Sequence, residues 1–194
     1  MRVSAFGDSA LRVDLPEGTD RAALHRRLLS WPGVSDFLVG DRHLLVTFDG
    51  APPSIEGMFE ERSKIAATPR RHLVRVRYDG PDLDEVCASL GITREAFVGH
   101  HAGRDYDVQL IGFLPGFAYL GPLDEVLSKV PRRAAPRPRV PALSVAIAAG
   151  RTAIYPFGSP GGWQLIGTAI DFAPFSPDTG ALLQFGDTVR FVPE

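Results

Sequence analysis

The sequence predicts an α+β protein in which a small α/β domain precedes a domain built from short β-strands. Residues 1–79 show the periodicities of amphipathic helices and half-buried strands, whereas the chain beyond residue 106 consists of short strand-like pieces between prolines and glycines. The turn-forming tripeptide Asp79-Gly80-Pro81 separates the two regions. We therefore place the domains at residues 1–79 and 80–194.

The first domain has the pattern ββαββαβ. Thr19-Asp20 is placed to cap the first helix, which ends before Pro32, and Ser54 begins a second helix that runs through Phe59. Alternating apolar residues predict strands over residues 6–15 (with a turn at 7–9), 34–39, 43–48 and 72–78. Two helices on one antiparallel sheet, as in ferredoxin-like folds, is the simplest packing of this pattern.

The second domain begins with two short helices, over residues 82–90 and 93–100, and Thr93 is the predicted cap of the latter. Beyond residue 106, frequent turn signals between short strands predict a β-barrel or a β-sandwich. At the end of the chain, residues 181–185 and 188–192 flank Gly186-Asp187 and predict a hairpin.

Composition excludes several classes of function. The net charge of −2 gives no electrostatic footprint for nucleic acid or an anionic membrane. No apolar run approaches the ~18–20 residues that span a bilayer. The single cysteine, Cys87, excludes an internal disulfide and a multi-cysteine metal site, and we predict no metal. The first residues lack the pattern of a secretory signal, so we expect a cytoplasmic protein.

Two segments place aromatic side chains among glycine and proline: GFLPGFAYLG at 112–121 and YPFGSPGGWQLIG at 155–167. Glycine allows close backbone approach and proline fixes φ, so neither segment suits a regular helix. We predict that they form the rigid wall of a binding cleft. The predicted wall residues are Phe113, Pro115, Phe117, Tyr119, Tyr155 and Trp163.

The run PRRAAPRPRVP at 131–141 cannot be helical and presents four arginines. Guanidinium groups bind carboxylates and phosphates, and we assign this role to Arg137 and Arg139; Arg132 and Arg133 fit a solvated loop better. Gly161, Gly162 and Gln164 complete the predicted anion site, through a backbone-amide nest whose alternative is a tight turn.

His101 is the candidate proton carrier, because the ordinary pKa of histidine lies near neutrality. The alternative is a helix cap or a surface residue. The sequence contains no GxSxG motif and no Walker loop. These residues thus predict a binding cleft rather than a self-sufficient catalytic apparatus.

These motifs also resemble a known family. His101, Tyr106-Asp107-Val108, GFLPGFAYLG, the PRRxxPRxxVP run and SPGGWQLIG occur in the order found in the KipI family, also called 5-oxoprolinase subunit PxpB or allophanate hydrolase subunit 1. The resemblance covers nearly the whole chain and is densest from residue 101 to residue 167. One departure is Leu143, where the family commonly has glycine.

The resemblance implies an N-terminal α/β domain and a cyclophilin-like β-barrel. It implies a KipA/PxpC-like subunit and a PxpA-like subunit as partners in an ATP-dependent 5-oxoprolinase, which opens the lactam of pyroglutamate to glutamate. ATP could then be held by a partner subunit. The chain lacks an AMKM-type lysine motif and is not expected to carry biotin. The alternative implied by the family is a non-catalytic binding module that inhibits a sensor histidine kinase.

Overall fold

The computed structural model describes residues 2–55, 57, 59 and 68–194. The chain divides into two compact units, Met1–Thr68 and Pro69–Glu194, and each is described by itself. Every helix in the described residues is too short or too polar to cross a lipid bilayer.

The first unit contains an antiparallel sheet. Its described strands are β1 (Val3–Ala5), β2 (Ala10–Asp14), β3 (Val34–Val39) and β4 (His43–Phe48). Hydrogen bonding places them in the order β1-β2-β4-β3. The apolar positions of β2 and β4 alternate, so Val13, Leu44 and Val46 are fully buried on one face. The strand predicted over residues 6–15 therefore begins later, after the turn at 7–9, and pairs with an additional strand before it.

Helix α1 (Arg21–Leu29) lies between β2 and β3 in the chain. The carboxylate of Asp20 accepts a hydrogen bond from the Ala23 amide at 2.9 Å, which confirms the predicted cap. Leu24 and Leu28 form the buried face of this helix. The predicted second helix, from Ser54 to Phe59, falls largely outside the described residues, so the ferredoxin-like arrangement stays a prediction.

The second unit is a closed barrel, which decides between the predicted barrel and sandwich. Seven strands form it: β5 (Arg71–Arg77), β6 (Asp105–Ile111), β7 (Ala118–Gly121), β9 (Ser144–Ala148), β10 (Arg151–Ile154), β12 (Gln164–Ile170) and β15 (Thr188–Pro193). Hydrogen bonding closes them in the order β10-β7-β6-β15-β5-β12-β9. Two short pairs lie outside the barrel: β8 (Arg137–Val140) with β11 (Ser159–Gly161), and β13 (Phe175–Ser176) with β14 (Gly180–Ala181).

Strand β5 corrects the predicted domain boundary. The sequence predicts it as the last strand of the first domain, but it pairs in parallel with β15 and antiparallel with β12. The division between compact units therefore falls at Thr68 and Pro69, before the predicted boundary at residue 79. Apolar and polar residues alternate in β5, and Val74 and Val76 are buried. This alternation predicts a half-buried strand, but it does not predict which sheet the strand joins.

The predicted C-terminal hairpin is wrong. Residues 188–193 do form a strand, β15, but it lies between β5 and β6 in the barrel. Residues 180–181 pair instead with β13. Val189 and Phe191 face the interior and are fully buried. Because β15 lies between two barrel strands, it buries more apolar area than it would in a terminal hairpin.

Two helices follow β5: α2 (Leu83–Leu90) and α3 (Arg94–Ala102). The predicted cap of α3 is confirmed, because the Thr93 hydroxyl accepts a hydrogen bond from the Ala96 amide at 3.2 Å. Gly91 ends α2 in the left-handed conformation that favours glycine. A single 3₁₀ turn, Leu127–Lys129, follows β7.

Leu143, at the position where the resemblance leads us to expect glycine, has a φ of +63°. An L-residue with a side chain is strained in this region, whereas glycine is not. Its amide donates to the Tyr155 carbonyl at 2.7 Å and its carbonyl accepts from the Ala169 amide at 2.8 Å. These two bonds hold the backbone in the conformation that glycine would adopt freely.

Candidate functional site

An aromatic cleft of about 310 Å³ opens on the second unit. Three segments form it: the loop between β6 and β7 with the start of β7, the stretch from the end of β10 through β11 to the start of β12, and the extended arginine-rich run before β8. We define the aromatic cleft by the residues that line it. They are Phe113, Phe117, Tyr119, Arg132, Arg133, Pro136, Tyr155, Pro160, Gly161, Gly162 and Trp163.

Phe117 is the centre of the aromatic wall. It is 1% exposed and its ring meets the rings of Phe113, Tyr119 and Tyr155 edge to face, with centroids 5.2, 4.9 and 5.2 Å away. Trp163 completes the cluster, with its ring centroid 6.2 Å from that of Phe117. Edge-to-face packing of several rings fixes their orientation, so the wall is rigid before any ligand binds.

Phe113 is exposed and lies on a strained backbone. Its φ is +75°, a value uncommon for residues other than glycine, and its side chain is 58% exposed. The backbone preference of phenylalanine does not favour this φ, and the exposed ring gains little from burial, so neither explains why phenylalanine stands here. Strained residues that persist in folded proteins cluster at binding sites, and Phe113 stands at the cleft.

The packing of the cleft leaves no room for a side chain at residue 161. A Cβ built on Gly161 would overlap the Tyr155 hydroxyl oxygen, whereas one on Gly162 would meet only Pro136, with Cγ at 3.7 Å. Burial and the neighbouring Tyr119 raise the pKa of Tyr155, so its hydroxyl stays protonated near neutral pH.

Two arginines face the aromatic wall, and they are the pair for which the sequence predicts a solvated loop. Arg132 and Arg133 both line the aromatic cleft. Arg133 Nη1 donates to Asp82 Oδ1 at 3.0 Å, and its backbone amide donates to the Gly162 carbonyl at 2.8 Å. Arg133 therefore ties the arginine-rich run to the glycine-rich loop.

Asp82 is a functional candidate that sequence reasoning missed. It is 3% exposed and accepts hydrogen bonds from Arg133, from Arg137 Nη2 at 2.5 Å and from the Leu165 amide at 2.6 Å. One buried carboxylate thus orients two arginines that lie four residues apart in the chain. In the sequence, Asp82 stands just before a predicted helix, and an aspartate at that position usually caps the helix. The Asp82 side chain makes no cap hydrogen bond to α2.

Arg137 and Arg139, predicted to hold an anion beside the aromatic residues, line a separate cleft of about 250 Å³. We call it the second cleft. Its lining residues are Asp79, Gly80, Pro81, Arg137, Arg139, Pro141, Ala142, Ser144, Leu165, Gly167 and Thr168. The structure brings the two predicted arginines together, but not with the predicted aromatic walls.

The other predicted residues lie at or beside the aromatic cleft. Gly161 and Gly162 line it, as do five of the six predicted wall residues. The exception is Pro115, which does not line it. Gln164 lies in β12 and donates to the Pro131 carbonyl at 3.4 Å, so it supports the arginine-rich run rather than facing either cleft.

His101 does not fit the predicted role of proton carrier. It is fully buried, and its ring stacks on Phe191 with centroids 4.5 Å apart. Thr152 Oγ1 donates its one proton to the Ala146 carbonyl and so accepts from His101 Nε2, while His101 Nδ1 accepts from the Tyr78 hydroxyl at 2.8 Å. Burial lowers the pKa of His101 to about 3. A neutral imidazole with both nitrogens bonded is a structural core residue.

Cys87, the one cysteine of the sequence, lies outside the aromatic cleft. Cys87 is a buried free thiol whose pKa is raised, chiefly by burial. Within the described residues, no three His, Cys, Asp or Glu side chains are grouped to hold a metal ion.

Comparison with known proteins agrees with these features. The model of the family "Carboxyltransferase domain, subdomain C and D" matches residues 1–181. A 5-oxoprolinase subunit of Escherichia coli O157:H7 is 38% identical over 210 residues, which cover 100% of this chain and 96% of that protein. A 5-oxoprolinase subunit of Haemophilus influenzae is 39% identical over 212 residues, covering 100% of this chain and 98% of that protein.

Among solved structures, that of TTHA0988 superposes with a TM-score of 0.78 at 36% identity. The match covers 96% of this chain and 40% of that chain, so this chain spans about two fifths of the length of TTHA0988.

Proposed function

This chain belongs to the family of carboxyltransferase domains, subdomains C and D, and from that premise we propose that it is a subunit of an ATP-dependent 5-oxoprolinase. Two relatives that match it over its whole length are named as subunits of 5-oxoprolinase. The proposed reaction opens the lactam of pyroglutamate to give glutamate. We place this reaction in the cytoplasm.

The aromatic cleft is the observation that carries the proposal. Its volume of about 310 Å³ is at the lower end of the range for small-molecule sites. Pyroglutamate is a small ring with one carboxylate. We place the ring against Phe113 and Trp163, and the carboxylate on Arg132, whose guanidinium has no ion-pair partner among the described residues.

The lining of the cleft also supports a role as one subunit among several. Its titratable side chains in the described part of the chain are arginines and tyrosines, and neither type exchanges protons readily at neutral pH. His101 is buried elsewhere. We therefore propose that this chain holds and orients the substrate, and that partner subunits supply the acid–base groups. The chain alone is then inactive.

Amide resonance makes the lactam resistant to water. Transfer of the γ-phosphoryl group of ATP to the lactam carbonyl oxygen would release ADP and make the carbonyl carbon electrophilic. A water molecule then adds to this carbon, and the C–N bond breaks to leave a free amine and an acyl phosphate. A second water molecule hydrolyses the acyl phosphate, which releases phosphate and glutamate. Since the sequence has no Walker loop, we place the nucleotide on a partner subunit.

We propose a KipA/PxpC-like subunit and a PxpA-like subunit as the partners. The test is co-expression of the three proteins from one genome, followed by an assay of pyroglutamate-dependent ATP hydrolysis and glutamate release, with each subunit omitted in turn. Arg132→Gln should raise KM for pyroglutamate in the complex, whereas Arg12→Gln, in the first unit, serves as a control with the same change of charge.

Activity that requires this chain supports the proposal. A stable complex without activity on pyroglutamate would overturn the substrate assignment and point to another small amide or lactam. Failure to form any complex would overturn the subunit role and favour a non-catalytic module that binds a sensor histidine kinase.

A further inference from the structure

We propose that the second cleft binds a phosphate group, at a site separate from the aromatic cleft. Two arginines, Arg137 and Arg139, and the hydroxyl group of a largely buried residue, Ser144, line it. The site is independent of the proposed activity, because the ligand class follows from charge and donor count.

The acidic neighbours of the second cleft, Asp79 and Asp82, are both already engaged. Asp79 accepts from Arg77 Nε at 2.7 Å and from the Thr168 hydroxyl at 3.0 Å. Desolvation alone would raise the pKa of Asp79, but these hydrogen bonds outweigh it and hold the pKa below its usual value. Asp79 and Arg77 therefore form a pair whose charges cancel.

The remaining charge favours an anion. Asp82 is shared between Arg133 and Arg137, so it neutralises only one of them. Arg139 has no ion-pair partner among the described residues. The second cleft is therefore lined by two guanidinium groups, and the one carboxylate that pairs with Arg137 is also shared with Arg133, which leaves the cleft with a net positive charge. An anionic ligand balances that charge.

The number of donors distinguishes a phosphate from a carboxylate. Arg137 Nη1 is buried and has no hydrogen-bond partner, although buried guanidinium nitrogens are normally bonded. The Ser144 hydroxyl has no partner in the part of the chain that the structure describes. With the three donor nitrogens of Arg139, these groups exceed what two carboxylate oxygens use and match the oxygens of a phosphate.

Close packing fixes the part of the second cleft that Gly80 and Gly167 line. A Cβ on Gly80 would overlap the Leu165 carbonyl oxygen, and one on Gly167 would overlap the Arg77 carbonyl oxygen. Strand β12 therefore lies directly against the segment that precedes α2. This part of the cleft is therefore preformed before a ligand binds.

The test is titration of the ¹⁵N-labelled full-length chain with inorganic phosphate at constant ionic strength, followed by ¹H–¹⁵N spectra. We expect saturable shifts at the amides of Arg139, Ser144 and Thr168. Arg139→Gln should raise the Kd for phosphate about tenfold, the effect of one charge-assisted contact. Ser144→Ala should raise it by a smaller factor. Retained dispersion in the spectra of each variant shows that it is folded.

Arg132→Gln is the matched control, because it removes the same charge from the aromatic cleft. An unchanged Kd in this variant supports the second cleft, whereas an increase there without one in Arg139→Gln would overturn the assignment. A parallel titration with ADP distinguishes free phosphate from a nucleotide phosphoryl group as the ligand. Absence of saturable shifts with both probes would overturn the proposal, and would leave the oxoprolinase assay unaffected.

Discussion

Gly161 lies directly against the hydroxyl group of Tyr155, and the structure leaves no room between them for a methyl group. The Tyr155 side chain is 1% exposed and its ring supports Phe117, the centre of the aromatic wall. The neighbouring Gly162 has no such restriction. One glycine of the pair therefore sets the position of the cleft wall and the other does not.

Gly161→Ala should destabilise the second unit by about 1–3 kcal/mol, because the added methyl group must displace Tyr155. Gly162→Ala should change the free energy of unfolding by less than about 0.5 kcal/mol. Neither glycine has a positive φ, so the comparison isolates packing from backbone strain. Urea denaturation of both variants measures the difference, and equal effects would contradict the close approach.

Much of this cleft could be predicted from the sequence, for a physical reason. Aromatic residues between glycine and proline cannot enter regular elements, so Phe113 and Trp163 had to lie on constrained loops. Their meeting in one cleft follows from the barrel, which brings together loops some forty residues apart. The positions of residues along the chain do not show which loops meet in space. The sequence prediction therefore places Arg137 with the aromatic wall and misses Arg132.

The misassignment of His101 and β5 has a similar cause. Histidine chemistry is the same in a core and at a surface, and only the tertiary fold shows that His101 is enclosed by the barrel. Strand β5 alternates as any half-buried strand does, and its partners β12 and β15 lie far along the chain. Local pattern specified the type of each element, whereas pairing depended on contacts distant in sequence.

The buried His101 should make the second unit less stable at mildly acidic pH. Its pKa is lowered to about 3 in the folded chain, against an ordinary value near 6.5, so the unfolded chain binds more protons between these pH values. Stability is then full above pH 6.5 and is lost as the pH falls, by about 1.4 kcal/mol per pH unit from this one group.

His101→Gln, which does not titrate, is the comparison for this pH dependence. Urea unfolding at pH 7 and pH 5, followed by Trp163 fluorescence in a Trp31→Phe background, gives the slope for each protein. The background change removes the signal of the first unit. A wild-type slope equal to that of His101→Gln would contradict a neutral, buried imidazole.

Asp82→Asn should destabilise the second unit by about 2–4 kcal/mol. The substitution leaves the half-buried Arg133 and Arg137 without their shared counter-charge, which costs far more than loss of an exposed pair. Asp84→Asn is the matched control, because Asp84 forms a two-pronged ion pair with Arg94 at an exposed surface. Little change is expected there. Comparable losses in the two variants would show that Asp82 is not an anchor.

Phe113→Gly should separate the binding role of this residue from any role in folding. Glycine relieves the strain of a φ of +75°, which offsets the lost ring contact with Phe117, so stability should stay within about 1 kcal/mol of the parent chain. Loss of an exposed wall of the cleft should lower kcat/KM for pyroglutamate in the reconstituted complex at least about tenfold. Phe157→Ala removes another exposed ring, which packs on Phe175 outside the cleft, and should leave kcat/KM unchanged. If the two variants lowered kcat/KM equally, the strained placement of Phe113 would have no special connection with substrate binding.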